Sequence, residues 1–488
     1  MKKVGVIGSG FSSLTAAIEL ASMGFDVEVF EKNEALGGRA RHFKEEGFVF
    51  DMGPSWYWMP DVFEDFFARH GKKVEEYYDL IKLDPGFSIY YDDGEKLEIP
   101  ESFNALVDIF ENIESGSGDK LQHFMKRAEK KYEIGVKNLV YKPSKSIFEF
   151  INLKVIKGSF YLDIFTVFSK YVRKYFKHEK LIKLMEFPIL FLGSLPSNTP
   201  AMYSLMNYSG LKQGTYYPIG GFYKIIEALV GLAKEKGVSF SCSSQVQKIN
   251  VTNGKVSSLL VNNQNLPIDI VVAGADYHHV DSKLLEPKFR NYTNDYWNSR
   301  KLAPSCLLFY LGLNKKLKNV NHHTLFFDKD FSKHAKEIYE TPKWPNEPLF
   351  YMSCPSVSDD SVAPKGMENI MLLIPLAPDL KDSNEMREKY FLIMLERLNQ
   401  LTGNDISDSI VYKKSYCVSD FIKDYNAFKG NAYGLANTLD QTAILKPSLR
   451  NKKLKNLFYT GQLTVPGPGV PPSIISGQVV ANEINKYF

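Results

Sequence analysis

Residues 4–31 read VGVIGSGFSSLTAAIELASMGFDVEVFE, and residues 456–488 read NLFYTGQLTVPGPGVPPSIISGQVVANEINKYF. The first stretch has the pattern of an apolar strand, a glycine turn, a helix and a second strand that ends in an acid. The second has the pattern of a strand ending at Gly461, a Pro/Gly loop, and a helix with small residues on one face. Both ends of the chain therefore predict parts of one nucleotide site, within a domain that the rest of the chain interrupts.

The turn after the first strand has the features of a dinucleotide-binding turn. Gly8 and Gly10 allow a close approach of the backbone to a pyrophosphate, and the following helix offers free N–H groups and its dipole. Glu31 ends the second strand about twenty residues later, where an acid binds ribose hydroxyls. Ser13 replaces the third glycine of the pattern but is small enough for close packing. We expect dinucleotide binding, against the alternative of a degenerate unit that binds nothing.

Length and composition bound the possible classes of protein. A chain of 488 residues is long for one core, so two or more domains are expected. Aromatic residues make up 14% of the chain, which suits an apolar substrate or surface. The four cysteines form no C-x-x-C pair, and neither His278-His279 nor His322-His323 has metal-ligand spacing. These patterns argue against a disulfide scaffold and a metal site, and they favour a reducing compartment.

The sequence has no pattern of a membrane-spanning helix. The most apolar run, Phe187-Pro-Ile-Leu-Phe-Leu-Gly193, is far shorter than the roughly 18 residues that a span requires. Met1-Lys-Lys3 is followed at once by the first strand, which leaves no room for a signal peptide. We therefore expect a cytoplasmic protein that is peripherally associated with the inner face of the membrane.

Positive charge is concentrated in one part of the chain. The formal net charge is +4, yet residues 120–192 contain sixteen Lys or Arg and only six Asp or Glu. Apolar residues recur there at three- and four-residue steps, which predicts helix: Phe165, Phe168, Tyr171, Val172, Tyr175 and Phe176. Two interpretations stay open, namely a helical lid with a solvated basic face and a basic aromatic surface that binds anionic lipid. No nucleic-acid-binding module is recognisable, so no nucleic-acid partner is expected.

Several segments resemble those of a known family. Gly37-Gly-Arg-Ala-Arg41 follows the acidic strand, and Phe50-Asp-Met-Gly-Pro-Ser55 comes a little later. With these motifs the chain resembles the flavin amine oxidase superfamily and, within it, the bacterial carotenoid (phytoene) desaturase family, including hydroxycarotenoid 3,4-desaturases. Residues 269–276 resemble the strand that leads into the substrate domain of these proteins, with Gly274 in place of Asn. The likeness continues at 305–313, 322–327 and 353–364 and covers nearly the whole chain.

The resemblance implies FAD as the cofactor and no metal. Glu31 would hold the adenosine ribose, the Gly-Gly-Arg segment would lie along the pyrophosphate, and Val246 would contact the adenine through its backbone. The segment ending at Ser55 would approach the flavin, and the C-terminal loop would bring a helix N-terminus to it. The implied cofactor-binding residues are Gly8, Gly10, Ser12, Glu31, Lys32, Gly38, Arg39, Ala40, Gly53, Pro54, Ser55, Val246, Gly461, Gly469, Val470 and Pro471.

A carotenoid desaturase also needs an apolar tunnel for a long carotenoid substrate. Trp56 and Trp58 follow the flavin-facing segment and either line that tunnel or form an aromatic core cluster. The flavin carries the chemistry, so no Ser/His/Asp constellation is needed. His323 and Asp359 lie in desaturase-like segments. Neither is assigned a catalytic role, and the proton acceptor stays unidentified.

The expected fold class is α/β, with a Rossmann-like FAD-binding domain of interrupted topology, an α+β substrate domain and a helical membrane-associated subdomain. The three units are expected at 1–100, 200–281 and 411–488 for FAD, 282–410 for substrate, and 101–199 for the basic lid. The expected function is FAD-dependent desaturation of a forty-carbon carotenoid, of the phytoene or the hydroxycarotenoid 3,4 type, by hydride transfer to flavin N5. The alternatives are a carotenoid isomerase or ketolase relative, a flavin amine oxidase, and a non-catalytic lipid-handling relative.

Overall fold

A five-stranded parallel sheet joins the two ends of the chain. The computed structural model describes residues 1–146, 149 and 162–488. The strands of this sheet lie in the order Leu457–Tyr459, Ile270–Ala273, Lys3–Ile7, Asp26–Phe30 and Ser239–Ser241. The central strand is almost wholly buried, as its apolar run predicts. The mixed α/β class predicted from the sequence is confirmed, and the sheet is built from strands that are far apart in the chain.

The first and last helices pack closely against each other. They span Phe11–Ser22 and Val470–Asn485, and both are buried along most of their length. Gly477 lies at their contact, where a Cβ atom would come within 2.0 Å of Thr15 Oγ1 and 2.4 Å of the Ser12 carbonyl oxygen. The small residues of the last helix therefore let the two helix backbones approach each other.

Two departures from the family motifs lie against each other in this region. A Cβ atom at Gly274 would lie 1.9 Å from the Ser13 hydroxyl oxygen. Ser13 is completely buried, and its hydroxyl has no hydrogen-bond partner among the described residues. The additional bulk of the serine is thus accommodated by the missing side chain of the glycine, and the helix stays close to the sheet.

A second sheet has seven strands. They lie in the order Ile410–Tyr416, Ser305–Leu313, Glu368–Leu376, Phe350–Ser353, His323–Phe327, Phe87–Tyr91 and Lys96–Ile99. Ser305–Leu313 is buried throughout and pairs antiparallel with both neighbours, which explains its continuous apolar run. The two strands at 87–99 come from the segment assigned above to the FAD-binding domain. The division into domains stays a prediction, but strand pairing places these two strands in the other sheet.

Smaller elements complete the structure. Val246–Thr252, Lys255–Val261 and Gln264–Pro267 form an antiparallel three-stranded sheet. His42–Glu45 pairs with Phe48–Asp51, and Leu80–Lys82 pairs with Tyr216–Pro218. The other longer helices of the described residues are Pro60–Arg69, Phe103–Ile113, Ser117–Ile134, Phe168–Tyr175, Glu179–Glu186, Tyr223–Glu235, Phe331–Tyr339, Asn384–Thr402 and Val418–Tyr425.

The basic stretch is largely helical where it is described. The side chains of Phe168, Tyr171, Val172 and Phe176 are buried, as the periodicity predicts. Phe165 precedes the helix and is 98% exposed, so its inclusion in the helical repeat was wrong. Residues 147, 148 and 150–161 of the stretch lie outside the described residues. In the part of the chain that is described, no helix is long and apolar enough to cross a membrane.

Candidate active site

A cavity of about 780 Å³ is lined by residues from both ends of the chain. Every residue that the sequence assigned to the cofactor or the substrate channel lines it: Gly8, Gly10, Ser12, Glu31, Lys32, Gly38, Arg39, Ala40, Gly53, Pro54, Ser55, Trp56, Trp58, Val246, Gly461, Gly469, Val470 and Pro471. The structure thus brings all of them to one surface. The individual roles that the sequence gave them there stay predictions.

The glycine turn and Glu31 form a hydrogen-bonded corner of this cavity. Gly8 has a φ of +91°, a conformation that residues with a side chain rarely adopt. Beyond Gly10 the space is open, because a Cβ atom there would meet nothing within 4 Å. The Glu31 carboxylate accepts hydrogen bonds from the N–H and hydroxyl of Ser9 at 3.1 and 2.6 Å, and from the Asn33 N–H at 2.9 Å. Glu31 is therefore held rigidly beside the turn.

Arg39 places a cation on the cavity wall. Its Nη2 donates to the Asn431 carbonyl oxygen at 3.1 Å, and its guanidinium lies 5.1 Å from the centre of the Tyr425 ring. Its Nε is buried and has no hydrogen-bond partner in the described structure. Burial lowers the pKa of Arg39, and the charge of Asp276 partly offsets this effect. A desolvated cation with an unused donor is suited to a phosphate anion.

The C-terminal loop leads to the N-terminus of the last helix, which offers the Val470 N–H group and the helix dipole to the cavity. The Gly461 N–H donates to Ser476 Oγ at 3.0 Å, which ties the loop to the last helix. That helix begins at Val470, and Pro471 and Pro472 follow in its first turn. Because proline has no N–H, the helix N-terminus presents the Val470 N–H rather than a row of donors. The helix therefore offers the cavity mainly its dipole.

The remaining wall of the cavity is apolar. It includes Val136, Leu139, Val140, Leu162, Leu190, Leu192, Met202, Leu205, Met206, Leu325, Phe327, Phe331, Ile338 and Leu349. The rings of Trp56 and Trp58 lie 5.3 Å apart, and Trp56 lies 6.1 Å from Phe187. Phe187 lies 6.2 Å from Phe327, which lies on the same cavity wall. The two tryptophans therefore belong both to an aromatic cluster and to the wall, so the two interpretations of them are compatible.

His323 and Asp359 occupy different environments. The Asp359 carboxylate accepts hydrogen bonds from the Gly220 N–H at 2.6 Å and the Tyr217 hydroxyl at 3.1 Å, which is a structural arrangement. His323 is completely buried, and its ring is stacked on Trp56 with 4.3 Å between ring centres. Burial lowers the pKa of His323 well below its usual value, so the ring is neutral.

Sequence reasoning missed Tyr351. This residue lines the cavity, and its hydroxyl lies 2.9 Å from Ser55 Oγ and 2.7 Å from His323 Nδ1. The contact exists because strand Phe350–Ser353 pairs with strand His323–Phe327, with Tyr351 opposite Leu325. The local sequence around Tyr351 is an ordinary buried strand, and it contains no signal of this long-range pairing.

Comparison with known proteins identifies the family. The profile of the flavin-containing amine oxidoreductases matches residues 11–485. The chain belongs to this family. It is 39% identical over 482 residues to a carotenoid 3,4-desaturase of Haloarcula japonica, with 99% of this chain and 97% of that protein covered. It is 29% identical over 493 residues to a zeta-carotene-forming phytoene desaturase of Myxococcus xanthus, with 100% and 94% covered. The resemblance to carotenoid desaturases is confirmed.

Solved structures show the same fold. An oxidoreductase from Methanosarcina mazei matches with a TM-score of 0.64 and 16% identity, over 98% of this chain and 100% of that one. A putrescine oxidase variant matches with a TM-score of 0.66 and 12% identity, over 100% and 99%. Family membership makes this protein a flavin-dependent oxidoreductase with FAD as its cofactor. The unused Nε donor of Arg39 and the open space beside Gly10 fit that cofactor.

Proposed function

We propose that this protein is an FAD-dependent desaturase that introduces C=C bonds into a long carotenoid. The observation that carries the proposal is that one cavity joins a dinucleotide-binding corner to an apolar wall. The names of the two relatives support a carotenoid as the substrate. Desaturation of the phytoene type and 3,4-desaturation of a hydroxylated carotenoid are the two forms of this proposal.

Different residues of the cavity would bind the cofactor and the substrate in this reaction. FAD, when bound, supplies the oxidising chemistry by accepting a hydride at N5. Glu31 would hold the ribose, Arg39 the pyrophosphate and Ser55 the flavin end. The apolar wall would bind the hydrocarbon chain and exclude water from the reacting carbons. No metal is required, and no group of His, Cys, Asp and Glu side chains among the described residues is arranged to hold one.

Expression in cells that make successive carotenoid precursors tests the function. The protein is expected to convert one of them into a pigment with a longer polyene and a longer absorption wavelength. Gly10→Glu, which fills the open space at the glycine turn, is the matched inactive control. Unchanged pigments with every precursor would contradict the proposal.

We also propose that the basic stretch binds an anionic membrane surface, from which the substrate enters. Residues 136, 139 and 162 of this stretch line the cavity, while Lys126, Lys170 and Lys174 are exposed. An exposed basic surface of this kind attracts anionic headgroups. One subdomain would therefore both cover the substrate and contact the bilayer.

Vesicle binding tests the membrane proposal. Replacing Lys126, Lys170 and Lys174 with Gln is expected to weaken binding to anionic vesicles about 100-fold, since each lysine near the surface contributes about 1 kcal/mol. Lys255, Lys453 and Lys455 are also exposed but lie outside the stretch, and their replacement with Gln is the control. Equal binding of wild-type protein to neutral and anionic vesicles would contradict the electrostatic account.

A further inference from the structure

Desaturation needs a proton acceptor as well as a hydride acceptor. When a hydride leaves one substrate carbon, that carbon becomes positively charged, and the adjacent C–H bond becomes strongly acidic. The electron pair of that bond then forms the new double bond, and its proton must be received by a group on the cavity wall. Because the cationic substrate is so acidic, a weak neutral base is sufficient.

Two titratable side chains, His334 and Asp359, already use their acceptor atoms in hydrogen bonds within the protein. His334 lines the cavity, but its Nε2 lies 3.0 Å from the Pro375 carbonyl oxygen, and its Nδ1 accepts the Leu349 N–H at 3.0 Å. Asp359 does not line the cavity and already accepts hydrogen bonds from the Tyr217 hydroxyl and the Gly220 N–H. Neither group has an acceptor site directed at the substrate.

Three other side chains form a continuous hydrogen-bonded chain from the cavity into the protein. Ser55 Oγ, the Tyr351 hydroxyl and His323 Nδ1 follow one another at 2.9 and 2.7 Å. Ser55 and Tyr351 line the cavity, whereas His323 lies behind them and does not. Trp56 stacks on the His323 ring with 12° between the planes, which fixes its orientation. His323 Nε2 is buried without a hydrogen-bond partner in the described part of the chain.

We propose that Tyr351 accepts the substrate proton and passes its own hydroxyl proton to His323 Nδ1 in the same step. This inference rests on the proposed desaturase function. The second substrate C–H bond breaks and its electron pair becomes the new π bond, while an O–H bond forms at Tyr351. The original O–H bond of Tyr351 breaks, and an N–H bond forms at His323 Nδ1, whose ring takes up the positive charge. Bound FAD would supply the hydride acceptor, which completes the redox balance. After product release, the proton returns from His323 through the Tyr351 and Ser55 hydroxyls to water in the cavity, along the two hydrogen bonds that join these residues.

The environment favours the required protonation states. Burial raises the pKa of Tyr351 and lowers the pKa of His323 well below its usual value, with a further contribution from neighbouring His322. Both groups are therefore neutral at neutral pH, and His323 Nδ1 can offer a lone pair to the Tyr351 hydroxyl. With Tyr351 donating to His323, Ser55 Oγ would donate to the Tyr351 oxygen, and both Ser55 and Tyr351 line the cavity.

A solvent isotope effect on wild-type protein is the decisive test. Purified, FAD-loaded protein is mixed anaerobically with carotenoid in liposomes, and loss of flavin absorption is followed in one turnover. Hydride transfer reverses unless the substrate proton is removed, so flavin reduction is expected to be slower in D2O than in H2O, because the Tyr351 hydroxyl proton exchanges with solvent and moves in the step that removes that proton. Lys446 does not line the cavity but is the competing acceptor, because its Nζ is buried without a partner in the described structure and burial lowers its pKa to about 7. An amine that takes the carbon-bound proton directly would give no such effect.

Two variants separate proton transfer from positioning. Tyr351→Phe and His323→Asn are each expected to slow flavin reduction about 100-fold, the lower end of what a positioned proton-transfer group contributes. FAD content and the dissociation constant for carotenoid are expected to stay unchanged. The carboxamide introduced by His323→Asn can accept the Tyr351 hydrogen bond but cannot take its proton. Tyr90→Phe is the control, because Tyr90 is a buried tyrosine of the same sheet whose hydroxyl donates to Asn319 outside the cavity.

The outcomes distinguish the relay from the function on which it rests. Equal rates in H2O and D2O, or a His323→Asn variant that reduces flavin at the wild-type rate, would overturn the relay alone. Loss of flavin reduction in a Lys446→Met variant with intact FAD content, together with a normal Tyr351→Phe variant, would transfer the role to Lys446. A wild-type flavin that no carotenoid reduces would overturn the proposed function and the relay with it.

Discussion

The two parts of the cavity are built in different ways. At the dinucleotide corner, Glu31 is held by hydrogen bonds from Ser9 and Asn33, and Arg39 donates to the Asn431 carbonyl oxygen. The apolar wall instead combines Val136, Met202 and other residues from widely separated segments, which are brought together by burial of apolar surface. The predicted cofactor corner therefore rests on directional hydrogen bonds made by motif residues, whereas the apolar wall depends on the packing of side chains from many segments. Substitutions should separate the two functions.

The largest effect is expected at the contact between the two terminal helices. Gly477→Ala would place a Cβ atom 2.4 Å from the Ser12 carbonyl oxygen and 2.8 Å from the Ala16 N–H group, which cannot rotate away. We expect a loss of about 3 kcal/mol in the free energy of unfolding, at the upper end of typical overpacking costs, with loss of FAD binding. Chemical denaturation and the retained flavin spectrum measure both.

A second helical glycine provides the control for that experiment. A Cβ atom at Gly231 would meet only the Tyr77 ring, at 3.8 Å, which is ordinary van der Waals contact. Gly231→Ala is therefore expected to stabilise the protein by about 0.5–1 kcal/mol through helix propensity. Equal changes in the free energy of unfolding for Gly477→Ala and Gly231→Ala would show that close packing of the terminal helices does not stabilise the dinucleotide corner.

Arg39→Gln is expected to weaken FAD and leave the substrate wall intact. Loss of a charge-assisted hydrogen bond costs about 1.5–3 kcal/mol, which corresponds to about 10–150-fold in the dissociation constant for FAD. Quenching of flavin fluorescence on binding measures this constant. Arg69→Gln is the control, since Arg69 pairs with Glu19 outside the cavity. A normal FAD affinity in the Arg39 variant would refute the role of this cation.

Met202→Lys is expected to weaken carotenoid binding and to leave FAD binding intact. It introduces a charge into the apolar wall, so carotenoid binding should weaken at least about tenfold, or 1.4 kcal/mol, while FAD binding is unchanged. Met202→Leu keeps the wall apolar and should bind carotenoid normally. Partitioning of carotenoid between liposomes and protein provides the measurement. Parallel losses of FAD and carotenoid would mean that the two parts of the cavity are not independent.

The smallest effect is expected where Ser13 meets Gly274. Gly274→Ala crowds the Ser13 hydroxyl, which can rotate, so the loss should be about 1 kcal/mol in the free energy of unfolding. Ser13→Gly removes the crowding atom, and the double variant should recover most of the loss. A double-mutant cycle measures the coupling. Additive effects would show that the two departures from the family motifs are independent.

The same contrast explains what the sequence could predict. The glycine turn, Glu31 and the strand at 305–313 follow from short-range patterns, and the structure has the corresponding elements. The pairing of strands 87–99 with the seven-stranded sheet could not be predicted, because strand partners are long-range. Tyr351 was missed for the same reason, and the fit of Ser13 to Gly274 was not visible while each was considered alone. The exposure of Phe165 shows that periodicity does not define where a helix begins.

Anaerobic spectroscopy of purified, FAD-loaded protein mixed with carotenoid in liposomes tests the central claim most directly. If one cavity holds both molecules for desaturation, flavin absorption should fall while the carotenoid maximum shifts to longer wavelength, in equal molar amounts. Binding of the carotenoid with no change in either chromophore, for any precursor tested, would contradict the account.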